Sequence, residues 1–160
     1  MSEFKNITKK FGNRKAERTV LDNFSLSLPQ GSKTVIMGES GCGKTTLLRI
    51  AAGLEKPDGG SFVSDEKIAV MFQEPRLLPW KTALENVTAV LPKEKFQLAK
   101  EYLSEAGLDA DFEKYPHELS GGMAQRVAYA RFLAFAEAED ATLLLLDEPF
   151  RLLTARRRKK

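Results

Sequence analysis

Gly38-Glu39-Ser40-Gly41-Cys42-Gly43-Lys44-Thr45 is the stretch that decides how this chain reads. It fits G-x-x-x-x-G-K-[ST], the pattern of a phosphate-binding loop. The glycines let the backbone curl until successive N–H groups point at phosphate oxygens. A helix opening at Lys44 would aim the positive end of its dipole at the same anion. The pattern carries this meaning only between a strand and a helix. The apolar run Thr34-Val35-Ile36-Met37 stops at Gly38 and reads as a buried strand, and residues 44–52 read as a helix closed by Gly53. In such a loop Lys44 reaches the β- and γ-phosphates and the Thr45 hydroxyl ligates Mg²⁺. Cys42 reads as a small filler of the loop rather than as a catalytic thiol.

Upstream, residues 4–8 and 20–28 read as strands. Phe24, Leu26 and Leu28 alternate with Ser25 and Ser27, the period of a half-buried strand, and Pro29-Gln30-Gly31 makes a turn. Downstream, Gly59-Gly60 precedes short strand candidates at 61–64 and 68–72. The texture is helical from 82 to 106 with a break at Pro92, and 109–115 adds a turn or two. Met123, Val127, Ala130, Ala134 and Ala138 recur near helical spacing and predict a long helix over 121–137. The run 142–147, flanked by helical material, suits a strand covered on both faces. The sum is an α/β fold with a helical subdomain at about 80–135. There is no internal repeat.

That last strand ends in Asp147 and Glu148. A P-loop NTPase needs a carboxylate on a neighbouring strand for its Mg²⁺ shell, which suits Asp147, and Glu148 is placed to polarise an attacking water. Between the two motifs, Ser120-Gly121-Gly122 opens the long helix as a second anion-binding cap. One phosphate loop has no need of a second cap on its own chain. Two chains paired head to tail, each capping the other's nucleotide, do.

These residues together resemble the nucleotide-binding subunit of ATP-binding cassette (ABC) transporters. GESGCGKTT (38–46), MFQEPRLLPW (71–80), HELSGGMAQRVAYAR (117–131) and LLLLDEP (143–149) carry the resemblance, which runs from about residue 4 to 149. FQEPRLLPW with LSGGM is most similar to the importers of nitrate, sulfonates and taurine. The resemblance implies a P-loop NTPase core of the ABC ATPase type that hydrolyses ATP with Mg²⁺. It implies that Gly38, Glu39, Ser40, Gly41, Cys42, Gly43, Lys44, Thr45 and Thr46 line the nucleotide, with Phe11 stacked on adenine. Ser120, Gly121 and Gly122 would meet the partner chain's ATP. Gln73 would sense the γ-phosphate and join Thr45 and Asp147 around Mg²⁺. Glu148, Gln73 and Lys44 would be the catalytic set, and Leu77, Leu78 and Trp80 would border the groove for the membrane subunit. His117 precedes the signature, so it is not the family's switch histidine and reads as structural.

The partners implied are a transmembrane permease and a second ATP-binding subunit forming a homodimer. The place implied is the cytoplasm, peripheral on the inner face of the cell membrane. Past Pro149 the resemblance stops: the family's following loop, switch histidine and C-terminal strands have no match in the last residues. Residues 1–150 therefore read as an ATP-binding domain ending soon after its acidic pair, and 151–160 as an irregular basic tail. A strand between the phosphate-loop strand and the acidic strand would then be missing. The second reading, accordingly, is a truncated module that binds ATP without turning it over, marginal and aggregation-prone by itself.

Composition agrees with one folded domain. The 160 residues are 42% hydrophobic and 29% charged, which excludes wholesale disorder. A single cysteine excludes an internal disulfide and fits a reducing compartment. No run approaches the ~20 apolar residues of a membrane span, and MSEFKNITKK lacks the apolar centre of a signal peptide. The net charge of +3 is misleading, because residues 151–160 hold six of the 25 basic side chains; the 19 left face 22 acids, a net −3. The body is mildly acidic, which argues against nucleic acid as a partner.

Overall fold

The computed structural model describes residues 1–12 and 16–148. The basic tail expected at 151–160 lies outside the described residues. The chain forms two compact units, Met1–Glu66 and a second from Lys67 on.

In the first unit β1 (Ser2–Phe11) pairs antiparallel with β2 (Arg18–Leu28) on one side and with β3 (Gly59–Val63) on the other. Alternation decides which face is buried: Phe4 and Ile7 are almost fully enclosed, and the Phe4 ring packs against Phe62 at 4.5 Å and Phe24 at 6.3 Å between centroids. The pairing slips between Phe4 and Ile7, where Asn6 adopts φ 49°, a left-handed conformation that asparagine tolerates better than most residues. Gly60, at φ 74°, faces it so closely that a Cβ would lie 2.2 Å from the Lys5 carbonyl. Helix α1 (Lys44–Ala51) ends in a Schellman closure, with Gly53 N–H bonded to Ile50 O and Leu54 N–H to Arg49 O. That is the role the sequence assigns to Gly53.

One expectation fails here. Residues 34–37 form no strand, and Val35 and Met37 are 80% and 86% exposed. An extended run becomes a strand only through its ladder, and this run finds no ladder partner among the described residues.

In the second unit β4 (Ile68–Met71) and β5 (Leu143–Leu146) run parallel, with Ile68 opposite Leu143 and Met71 opposite Leu146. Helix α4 (Gly121–Ala138) packs on this pair by burying Phe132 and Ala136 against Ala69 and Met71. Its other apolar stripe, Val127, Ala130, Ala134 and Ala138, forms a core with α2 (Ala83–Thr88) and α3 (Phe96–Glu105). The alanines let these helices approach closely. Thr82 and Glu85 make a reciprocal capping box on α2. Pro92 breaks the helical stretch as its sequence requires, and a 3-10 turn at Lys93–Lys95 leads into α3. Two expectations are corrected. Residues 109–115 form hydrogen-bonded turns and no helix. β5 is not covered on both faces: Leu145 is buried, while Leu144 and Leu146 are 45% and 36% exposed, because α4 shields only one side.

Candidate nucleotide site

The glycine loop in the first unit has the curl its sequence demands. Gly41 and Gly43 take φ 79° and 106°, values closed to residues with a Cβ except at a cost. Gly43 is also pressed against β2, where a Cβ would stand 2.9 Å from Val20 Cγ1 and 3.0 Å from Leu21 Cδ2. The loop is thus seated on the sheet and opens into α1, held by buried Leu47, Ile50 and Ala51. Lys44 folds back over the loop: its Nζ donates to the carbonyls of Gly38 at 2.7 Å and Glu39 at 2.8 Å and lies 3.7 Å from Cys42 Sγ. Ser40, Gly41, Cys42 and Thr45 are exposed, and Thr46 is half-buried.

Phe11 stands at the end of β1, 44% exposed, with the Lys9 ammonium 5.2 Å from its ring centre. Lys9 is held by Glu55 at 2.8 Å and by the Lys56 carbonyl. The hydrogen bond it donates to the Glu55 carboxylate raises the pKa of the ammonium above the usual lysine range. Phe11 borders an open cavity of about 660 Å³, shared with Thr8, Lys10, Glu17 and Asp58.

In the second unit, parallel pairing brings two chain segments out at one end of the sheet. Asp147 N–H donates to Met71 O at 2.9 Å, so the residues after β4 and those after β5 emerge together. Asp147 is buried at 5% exposure. Glu148 is exposed at φ 48° and accepts a 3.0 Å hydrogen bond from Gln73 Nε2. The structure therefore joins Gln73, Asp147 and Glu148, three of the residues singled out in the sequence. Thr45 and the glycine loop belong to the first unit.

Two side chains that sequence reasoning missed hold the segment after β4. Gln125 Nε2 donates to Gln73 O at 3.1 Å, and Arg131 donates to Pro75 O at 2.6 Å and Arg76 O at 3.2 Å. Burial pushes the Arg131 guanidinium below its ordinary pKa. Both lie in the stretch 117–131 that carries the resemblance, but nothing in the sequence alone says which backbone groups they hold. Asn86, also missed, is fully buried and staples the next loop. It accepts from Leu78 N–H and donates to the carbonyls of Leu78, Lys81 and Thr82. That loop presents Trp80 at 70% exposure, while Leu77 packs on the helical core and Leu78 is half-buried.

Ser120 caps α4 by accepting from Met123 N–H at 3.2 Å. Gly121 and Gly122 follow, and a Cβ on either would meet nothing within 4 Å. The chain's own packing does not explain these glycines. His117 is exposed and stacks on Tyr115.

The family description "ABC transporter" matches residues 21–151. Over 148 residues the chain is 47% identical to the aliphatic sulfonates import ATP-binding protein SsuB 3 of Paraburkholderia xenovorans (strain LB400), covering 92% of this chain and 58% of that one. It is 42% identical to an uncharacterized ABC transporter ATP-binding protein of Methanocaldococcus jannaschii, with 96% and 61% covered. The chain thus spans about three fifths of the length of these curated relatives. Among solved structures it is similar to a dimeric bacterial ABC transporter cassette, MJ0796, at TM-score 0.84 and 32% identity over 98% of this chain and 77% of that one. A post-hydrolysis dimer of the same cassette bound to ADP and Pi matches at TM-score 0.80 and 28% identity, covering 91% and 87%.

Proposed function

The chain belongs to the ABC transporter family, and from that premise we propose that it is the ATP-binding and ATP-hydrolysing part of an importer for a small organic anion of the sulfonate class. The observation that carries this reading is the Gln73–Glu148 hydrogen bond beside buried Asp147. It puts an amide and two carboxylates at one end of a parallel sheet, as hydrolysis of a phosphoanhydride by water requires. Glu148 takes the proton of the attacking water, and Gln73 orients that water. Lys44 neutralises the phosphates, and Gly38 to Thr46 supply backbone donors and the Thr45 hydroxyl. Phe11 stacks on the adenine.

The Thr45 hydroxyl, the Gln73 amide and the Asp147 carboxylate are hard oxygen donors that suit Mg²⁺. Among the described residues no group of three His, Cys, Asp or Glu side chains could hold a metal; in the proposal, nucleotide oxygens and water would also be ligands of the ion. When bound, it supplies charge neutralisation across the phosphates.

Two copies would pair head to tail, each offering Ser120, Gly121 and Gly122 to the other's nucleotide; the open surface at both glycines supports this. A permease would dock on the Trp80 loop. The place proposed is peripheral, on the inner face of the cell membrane; among the described residues no helix is long and apolar enough to cross a membrane. Residues 1–150 are read as the ATP-binding domain, with the helical subdomain at about 80–135.

The test is phosphate release from saturating MgATP by the chain and by Glu148→Gln. The variant should bind MgATP like the parent and lose turnover. A variant that hydrolyses at the parent rate, or a parent that binds no MgATP, overturns the proposal. The exposure of Val35 and Met37 just before the loop favours a second reading, nucleotide binding without turnover. Saturable MgATP binding with no phosphate release would select it.

A further inference from the structure

The geometry assigns to Gln125 a positioning role: by holding the Gln73 carbonyl it presents the Gln73 amide to Glu148. This inference rests on the reading of Gln73 and Glu148 as hydrolytic groups. β4 ends at Met71, so Gln73 has no ladder to hold its backbone. The 3.1 Å hydrogen bond from Gln125 Nε2 instead fixes the peptide plane that leaves Gln73. Two residues further on, Arg131 pins Pro75 O and Arg76 O from the same helix. Between these two holds the backbone has little freedom, and the Gln73 side chain leaves it toward Glu148 at 3.0 Å.

The consequence is a short mechanical connection. Gln125 lies in the first turns of α4, just after Ser120, Gly121 and Gly122. The C-terminal half of the helix is locked to β4 through Phe132 and Ala136. A change at the start of α4 therefore reaches Glu148 through two side chains, Gln125 and Gln73. The role needs an N–H donor at position 125, which glutamine has and the isosteric glutamate lacks.

The test is NMR of the full chain with its glutamine side-chain amides labelled. Four glutamines are present, at 30, 73, 97 and 125, and the Gln73 signal is identified by its loss in Gln73→Ala. Glu148→Ala should move that signal. Gln125→Glu should move it as well, and Gln125→Lys, which keeps a donor, should bring it back toward the parent position. If Glu148→Ala moves the signal and Gln125→Glu does not, the positioning role is overturned; if neither moves it, the contact itself is absent and the role falls with it. This readout needs no ATP turnover, so failure of the hydrolytic reading, seen as absent MgATP binding, is distinguishable. In a turning-over assembly Gln125→Glu should lower kcat roughly tenfold with KM for ATP within about twofold, and Gln125→Lys should recover most of it. Equal losses in the Glu and Lys variants would mark a merely structural residue and overturn the assignment.

Discussion

Lys44 and Gly38 are joined by a 2.7 Å hydrogen bond from the ammonium Nζ to the carbonyl oxygen, across the loop that separates them. The bond ties the first glycine of the motif to its lysine and keeps the loop curled around its own cation. The ammonium also reaches Glu39 O, so the loop holds the charge at the place where phosphate oxygens would compete for it.

Lys44→Ala should weaken MgATP binding by roughly 10- to 100-fold, the worth of one charge-assisted hydrogen bond. Isothermal titration of parent and variant measures it. Unchanged affinity would remove Lys44 from the phosphate site.

Phe11→Ala should weaken ATP binding by roughly two- to tenfold, as expected for one aromatic stacking contact, and leave affinity for inorganic triphosphate alone. Phe11→Tyr should bind ATP like the parent. An equal loss for both ligands would mean that Phe11 supports the sheet end rather than the base.

Asn86→Ala leaves the Leu78 N–H and three carbonyls without their side-chain partner. It should destabilise the chain by at least about 2 kcal/mol, read from urea unfolding. Trp80, the sole tryptophan, sits on the loop that Asn86 staples and should change its fluorescence before global unfolding. A single coincident transition at the parent midpoint would contradict the staple.

Tyr102 donates to the Glu137 carboxylate, and this hydrogen bond, with burial, pushes the phenol up to about 12 from 10. The folded pKa lies above the unfolded one. The stabilisation is therefore complete below pH 10 and is lost as pH rises through about 12. Glu137→Ala should return one of the three tyrosines to ordinary titration, followed by phenolate absorbance. Three phenols titrating near 10 in the parent would refute the contact.

Much of this molecule is written locally. The glycine loop, the Schellman closure at Gly53, the Thr82–Glu85 capping box and the break at Pro92 all depend on residues a few positions apart. Their backbone consequences follow from sterics and short-range hydrogen bonds; the loop, the Gly53 closure and the Pro92 break were read from pattern alone, and the capping box was not. β5 was also legible as a continuous apolar run, and α4 in the helical spacing of its apolar residues. The length of β1 was not, because its slip at Asn6 interrupts the alternation.

What only the tertiary structure decided are contacts between residues far apart in the chain. Gln73 meets Glu148 across 75 positions because β4 and β5 pair in parallel with Met71 opposite Leu146. Gln125 and Arg131 reach the segment after β4 because α4 packs Phe132 and Ala136 onto that sheet. No spacing rule encodes these distances; they follow from register and helix packing. The same reason explains residues 34–37: their apolar composition announces a strand, but a strand exists only when another backbone supplies its hydrogen bonds.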